Sequence, residues 1–346
     1  MSECKLPENS RRKVLVIHPG ALGDVLLARP ALQALHRRFS KHEIAFLGGR
    51  AVGTLLHECG EVSQVFPIEL AHLSELFAGV ECLSPPFLDW LKHVDTVVGW
   101  LADTDGAAAA TLQTVGVQSI QFRPALSASS PSEHQTDRYC EAFGLEVLDP
   151  MVYRPLTVPL VLRGQAKRIL ETLNVQKGKP LVVIHAGSGS ARKCIDSWRL
   201  AQVVDWVSRS GATPLLLEGP ADHDSVAAVL SELKHAVPVV RGESVSLVAG
   251  VLSHAALYIG QDSGVTHLAA GLAIPTVACF GPTDPHRWAP RGPHVTVLTG
   301  SRCSCHSWRE VESCGERTCL QISPDCLIEA SRMHMMEQFS LGSGSA

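Results

Sequence analysis

The segment Asp262-Ser263-Gly264-Val265-Thr266-His267 groups a carboxylate, two hydroxyls and an imidazole around a glycine, directly after the apolar run Leu257-Tyr258-Ile259-Gly260. A strand ending there and a helix beginning there would aim backbone N–H groups and the positive end of the helix dipole at an anion. Asp262 or Ser263 suits the helix cap, and Gly264 lets a phosphate or sugar approach the amides. Thr266 and His267, in the same turn, can donate to a phosphate oxygen. Capping accounts for one of these residues and leaves the group unexplained.

Three more junctions offer related chemistry. Gly20-Ala21-Leu22-Gly23-Asp24 places an acid at or beside a helix start, where Asp24 can take a proton from an incoming hydroxyl or can simply cap the helix. Gly20 and Gly23 permit close backbone approach, but G-x-x-G-D lacks the G-x-G-x-x-G spacing of a dinucleotide site. His185-Ala186-Gly187-Ser188-Gly189-Ser190-Ala191-Arg192-Lys193 exposes amides and hydroxyls next to two cations, which suits a diphosphate or, equally, a solvated Gly/Ser turn. It lacks the order of a nucleotide-hydrolysing P-loop. Gly219-Pro220-Ala221-Asp222-His223-Asp224 follows Leu215-Leu216-Leu217-Glu218, so Asp222 can meet ribose hydroxyls or cap a helix.

These junctions need elements to hold them. Lys13-Val14-Leu15-Val16-Ile17-His18 reads as a buried strand, and the apolar positions from Asp24 to Phe39 recur at helical spacing around Pro30, which must kink or divide the helix. Further strands are expected at 43–47, 64–68, 96–100 and 118–122, with helices between several of them. After the proline-bearing stretch 148–155 the pattern restarts: Leu181-Val182-Val183-Ile184-His185-Ala186-Gly187 repeats the apolar run, Ile-His and glycine turn of the first opening. Strands at 213–217, 237–240, 256–260, 276–280 and 294–298 alternate with helices at 201–209, 222–234, 246–253 and 264–272. Such β/α alternation implies parallel sheets. The expected division is 1–155, 156–325 and a C-terminal stretch 326–346, whose helix, 324–339, is expected to pack back across the first domain and whose end, Ser340 to Ala346, has the composition of a disordered linker.

The 346 residues suit two domains, and a net charge of −4 gives no reason to expect nucleic acid as partner. No apolar stretch reaches about 18 residues and the start lacks the order of a secretory signal, so a cytoplasmic enzyme is expected. Of 11 cysteines, the five from Cys303 to Cys326 contain no C-x-x-C pair, so reduced thiols in a surface loop are expected in preference to a structural zinc, and no other cofactor.

With these residues in place, the chain resembles the family 9 glycosyltransferases, the lipopolysaccharide heptosyltransferases, from Lys13 to about Ile328. The resemblance rests on Gly20-x-x-Gly23-Asp24 with Pro30-Ala31-Leu32, on His185-Ala186-Gly187-Ser188 with Lys193 and Trp198, and above all on Asp262-Ser263-Gly264-x-x-His267-Leu268-Ala269 followed by Phe280-Gly281-Pro282-Thr283. It implies a GT-B architecture, two Rossmann-like parallel-sheet α/β domains facing a cleft. It also implies inverting, metal-independent transfer of a sugar, most simply heptose from ADP-heptose, to a saccharide hydroxyl of a lipopolysaccharide core or similar glycan.

By the same resemblance Asp24 is the general base, Lys193 and the Ser188 region hold the diphosphate, Asp262 meets donor sugar hydroxyls, and Gly264, Thr266 and His267 line the phosphate side. The loop from Lys193 to Trp198 is longer than the family's and lacks its proline, which leaves Arg192 as a competing phosphate contact and Asp222, Asp224 and Glu218 as competing ribose contacts. A nucleotide-sugar epimerase and a non-catalytic nucleotide-sugar-binding protein are the alternatives. If the acceptor is lipid-linked, the enzyme visits the inner face of the inner membrane, where Arg37, Arg38 and Lys41 can assist, although a solvated basic face is the reading preferred for them.

Overall fold

The computed structural model describes residues 12–125 and 133–342. They form two compact units, 12–125 with 135–147, and 133–134 with 148–342. The contact boundary thus falls between Val147 and Leu148, ahead of residue 155.

The first unit is built on β1 (Lys13–His18), β2 (Glu43–Gly48), β3 (Gln64–Pro67), β4 (Val94–Gly99) and β5 (Ser119–Phe122), in the order β3-β2-β1-β4-β5. Every pairing is parallel. Val14 to His18 are all buried, as a strand covered on both faces requires. Leu15, Ile17, Leu47 and Val97 pack with Phe66, Phe87, Leu91 and Leu112 into one core. Pro30 divides the expected helix: Leu22–Leu27 ends at Ala28, and Arg29–Arg38 starts anew with the proline in its first turn, where its missing N–H costs nothing.

The second unit carries β6 (Leu181–His185), β7 (Thr213–Glu218), β8 (Val239–Arg241), β9 (Leu257–Gln261), β10 (Thr276–Phe280) and β11 (Val295–Thr299), in the order β11-β10-β9-β6-β7-β8, again all parallel. From β6 the chain builds outward through β7 and β8, and from β9 in the opposite direction through β10 and β11. The loops leaving β6 and β9 therefore diverge from neighbouring strands, the arrangement that opens a crevice at the carboxyl edge of a doubly wound sheet. Register places His185 beside Gly260, so the two loops start side by side.

The C-terminal helix, Pro324–Gly342, corrects two expectations. It packs in the core of the second unit, with Leu327, Ala330 and Met335 among Leu200, Ile259 and Cys279, because Leu327, Ala330, Ser331 and His334 share one buried face. It also runs on through Ser340, Leu341 and Gly342; residues 343–346 lie outside the described residues. Among the described residues no helix is long and apolar enough to cross a membrane.

Candidate functional site

In the second unit the site grows from the ends of β6 and β9. The helix Gly264–Gly271 is capped by Ser263, whose Oγ accepts from the Thr266 N–H, so the cap falls to Ser263 and Asp262 is left for other contacts. Asp262 pairs with Lys193: Nζ lies 2.9 Å from Oδ2, with the carboxylate 9% and the lysine 26% exposed. Lys193 arrives on a single turn, Ala191–Lys193, held by Ser190 as its cap. Arg192 turns away, donating to the Cys314 carbonyl at 3.3 Å. Of the two cations left open by the sequence, Lys193 stands at the head of the helix and Arg192 at the cysteine loop.

Several residues expected at the ligand make internal ties. The Ser188 hydroxyl donates to the Asp262 carbonyl at 2.5 Å, joining the β6 and β9 loops to each other. Thr266 is fully buried; its hydroxyl donates to the Gln261 carbonyl and lies 3.0 Å from the Tyr258 hydroxyl, so its side chain faces the sheet and not the phosphate side. Asp222 is also buried. Its Oδ2 takes a hydrogen bond from the Gly219 N–H at 2.8 Å and lies 2.9 Å from His185 Nε2. Burial pushes this carboxyl up, but the bonds from His185 and Gly219 outweigh it and hold its pKa below the ordinary value. Asp222 occupies the cap position of His223–Glu232 without capping it. Of the other acids weighed for ribose, Glu218 binds Arg241 and His223, and Asp224 stands exposed in the first turn of that helix.

His185 holds more of the site together than its place in a glycine turn suggests. Its Nε2 meets Asp222, and its Nδ1 lies 3.2 Å from Ser263 Oγ, so one buried imidazole links the β7 loop to the cap of the Gly264–Gly271 helix. Gly187 is glycine for the same reason: a Cβ there would lie 1.8 Å from Asp222 Oδ1. Gln261, fully buried, accepts from the Ile195 N–H at 3.2 Å and so fixes the far end of the lysine loop. The repeated Ile-His at both strand ends was the available signal for His185; nothing in the sequence marked Gln261. His267 is buried beside Asp262, Lys193 and His134, and burial lowers its pKa to about 4, so the imidazole is neutral at pH 7. His134, bonded through Nε2 to the Ala289 carbonyl at 2.8 Å, comes from a distant part of the chain that no local pattern could assign here.

In the first unit, Asp24 is the third residue of Leu22–Leu27 and its Oδ2 accepts from the Ala21 N–H at 3.1 Å. The carboxylate is thus held at a helix start, partly exposed. Gly23 lies in the same turn. Gly20 has no room for a side chain, since a Cβ would meet His18 Cε1 at 2.7 Å and Asp24 Cβ at 2.9 Å. His18 accepts the Gly20 N–H on Nδ1 at 3.1 Å and packs its ring against Trp100 and Tyr139; burial lowers its pKa to about 4.

Two doubly wound parallel sheets, the second with a lysine–aspartate pair at a helix start beside its strand-order reversal, define a GT-B-class protein. Solved structures share the fold: the glycosyl transferase family 9 from Veillonella parvula DSM 2008 superimposes with a TM-score of 0.76 at 18% identity, covering 94% of this chain and 97% of that one. The E. coli ADP-heptose lps heptosyltransferase II gives 0.74 at 16% identity, covering 95% and 100%. In sequence, lipopolysaccharide heptosyltransferase 1 of Escherichia coli (strain K12) is 30% identical over 292 residues, 79% of this chain and 89% of that protein. Two further matches, both to lipopolysaccharide heptosyltransferase 3 of Escherichia coli, span only 34% and 37% of those proteins' lengths. The model of glycosyltransferase family 9 (heptosyltransferase) matches residues 109–316, and the chain belongs to that family.

Proposed function

We propose that this chain is an inverting glycosyltransferase that moves a sugar, heptose from ADP-heptose in the first instance, to a saccharide hydroxyl of a lipopolysaccharide core or similar glycan. The observation that carries the donor half is the Lys193–Asp262 pair at the start of the Gly264–Gly271 helix, beside the backbone amides of the Gly187–Ser190 turn. A lysine, a helix start and a glycine turn together suit a diphosphate. The relatives, a lipopolysaccharide heptosyltransferase and an ADP-heptose lps heptosyltransferase, support the choice of sugar and nucleotide.

In the reaction so assigned, Asp24 takes the proton of the acceptor hydroxyl as that oxygen bonds to the anomeric carbon from the face opposite the leaving group. The bond from that carbon to the diphosphate oxygen breaks, and the nucleotide diphosphate leaves with the electron pair. Lys193 and helix-terminal amides offset its growing charge. Asp262, oriented by Lys193, meets donor sugar hydroxyls. His267, kept neutral by burial, donates one N–H without adding charge. No metal takes part in this scheme. The enzyme works in the cytoplasm and, for a lipid-linked acceptor, at the inner face of the inner membrane.

A thermal-shift screen of ADP-, UDP- and GDP-sugars tests the donor assignment. A nucleotide-sugar present at 100 times its Kd raises stability by about 2.7 kcal/mol, and the ADP compound should give the largest shift. Equal, negligible shifts with all three would overturn the reading, and conversion of a nucleotide sugar to its free isomer without acceptor would identify an epimerase.

A further inference from the structure

Outside this site, the segment between β11 and the C-terminal helix gathers three thiols. Cys303 Sγ lies 3.1 Å from Cys305 Sγ and 3.7 Å from Cys314 Sγ, and all three sulfurs fall within 4.8 Å of one another. A disulfide would bring two sulfurs to about 2 Å. Thiolates at about 2.3 Å around one tetrahedral ion sit close to 3.8 Å apart, which is the spacing of Cys303 and Cys314.

The surroundings suit thiolates. The Arg317 N–H donates to Cys314 Sγ at 3.4 Å. Cys319, buried behind them, is the next thiol and interacts with Cys303. The three sulfurs line an open surface pocket with Ser301, Arg302 and Glu310, so an ion has a path in.

The same segment is tied to the lysine loop at four points. Arg192 binds the Cys314 carbonyl, Arg317 binds the Cys194 carbonyl, Arg317 Nη1 lies 3.7 Å from Asp196 Oδ1, and Lys193 Nζ lies 5.9 Å from the centre of the Trp308 ring. The stretch has one short helix, Trp308–Ser313, and one turn, Thr318–Leu320, whose Cys319 and Leu320 sit in the core of the second unit.

We propose that Cys303, Cys305 and Cys314 bind one thiophilic divalent metal ion, zinc in the first instance, and that the ion braces the loop carrying Arg192 and Lys193. The sulfur-rich ligand set selects zinc or iron over magnesium or calcium. On binding, each ligating thiol releases its proton to solvent and the sulfur donates its lone pair to the ion, with no change of oxidation state. The ion has a positioning role and takes no part in sugar transfer. The bracing part rests on the nucleotide reading of the Lys193 site; the metal site does not.

The test uses the full chain purified under reducing conditions. Elemental analysis should find about one zinc or iron per chain, or uptake of one zinc ion by stripped protein, and cobalt substitution should give the absorption of tetrahedral thiolate coordination. Cys303→Ser and Cys314→Ser should lose the ion, whereas Cys326→Ser, altering an exposed thiol on the last helix, should keep it. No uptake of either metal, or retention in both site variants, or a mass lower by two hydrogens showing a disulfide, overturns the site.

Stripping the ion should weaken ADP binding by about tenfold, equivalent to ~1.4 kcal/mol, and zinc should restore it. Unchanged affinity overturns the brace while the metal count stands. If ADP binds neither form, the nucleotide reading and the brace both fail, and the metal count still decides the site.

Discussion

Replacing either partner of the Lys193–Asp262 pair should move nucleotide binding in opposite directions. At 2.9 Å the pair has a Coulomb attraction of about 6 kcal/mol at an effective dielectric constant of 20, most of it offset by desolvation of a carboxylate only 9% exposed. Lys193→Met keeps the aliphatic stem, removes the cation and leaves a buried carboxylate facing the incoming phosphates. The lost charge-assisted bond alone is worth about 1.5–3 kcal/mol, so ADP affinity should fall roughly 10- to 100-fold. Asp262→Asn frees the lysine for phosphate, so ADP should bind as tightly as in the parent or up to about tenfold tighter, while sugar transfer drops. Isothermal titration with ADP, accompanied by melting curves to confirm folding, reads both. Equal weakening in the two variants, or an ADP affinity for Lys193→Met within about twofold of the parent, less than ~0.4 kcal/mol, would refute the assignment of Lys193 to the diphosphate.

Asp24→Ala should lose about 10²–10⁴ in turnover with donor binding intact; near-full turnover sinks Asp24 as the base. Gly187→Ala pushes a Cβ against the Asp222 carboxylate and breaks its bond to His185, so thermal unfolding should show a loss of about 2–3 kcal/mol; an unchanged melting point would mean the two loops are less tightly tied than the contacts indicate. The two buried histidines govern acid sensitivity. Unfolded histidine titrates near 6.5, but His18 and His267 stay neutral until about 4, so below pH 6.5 the unfolded chain binds more protons and stability falls until pH reaches about 4. At pH 5 each should contribute a loss of about 2 kcal/mol relative to pH 7, and His18→Gln should flatten the pH dependence of melting between pH 7 and 5; a profile as steep as the parent's would contradict that origin.

Local pattern was enough for the eleven strands among the described residues, because β-branched runs closed by turns leave little choice of conformation and parallel burial demands continuous apolar sequence. Pro30 marked its own helix break by the same local logic. The residue types at the strand ends were also legible, since Asp24 in the first unit and Lys193 and Asp262 in the second sit at strand-to-helix turns.

What each side chain touches was decided only by tertiary structure. Nothing local distinguishes Ser188, bonded to the Asp262 backbone, from a phosphate-binding serine, or Asp222, bonded to His185 across 37 residues, from a ribose ligand. The C-terminal helix was equally ambiguous: its buried face is plain in the sequence, but which core receives it depends on the packing of distant strands. By itself the sequence determined two parallel α/β units, the family and the residue types at the strand ends. Only the fold decided that Lys193 and not Arg192 reaches Asp262, that a buried His185 joins two loops, and that Cys303, Cys305 and Cys314 meet, because partners far apart in the chain are chosen by three-dimensional packing and not by local propensity.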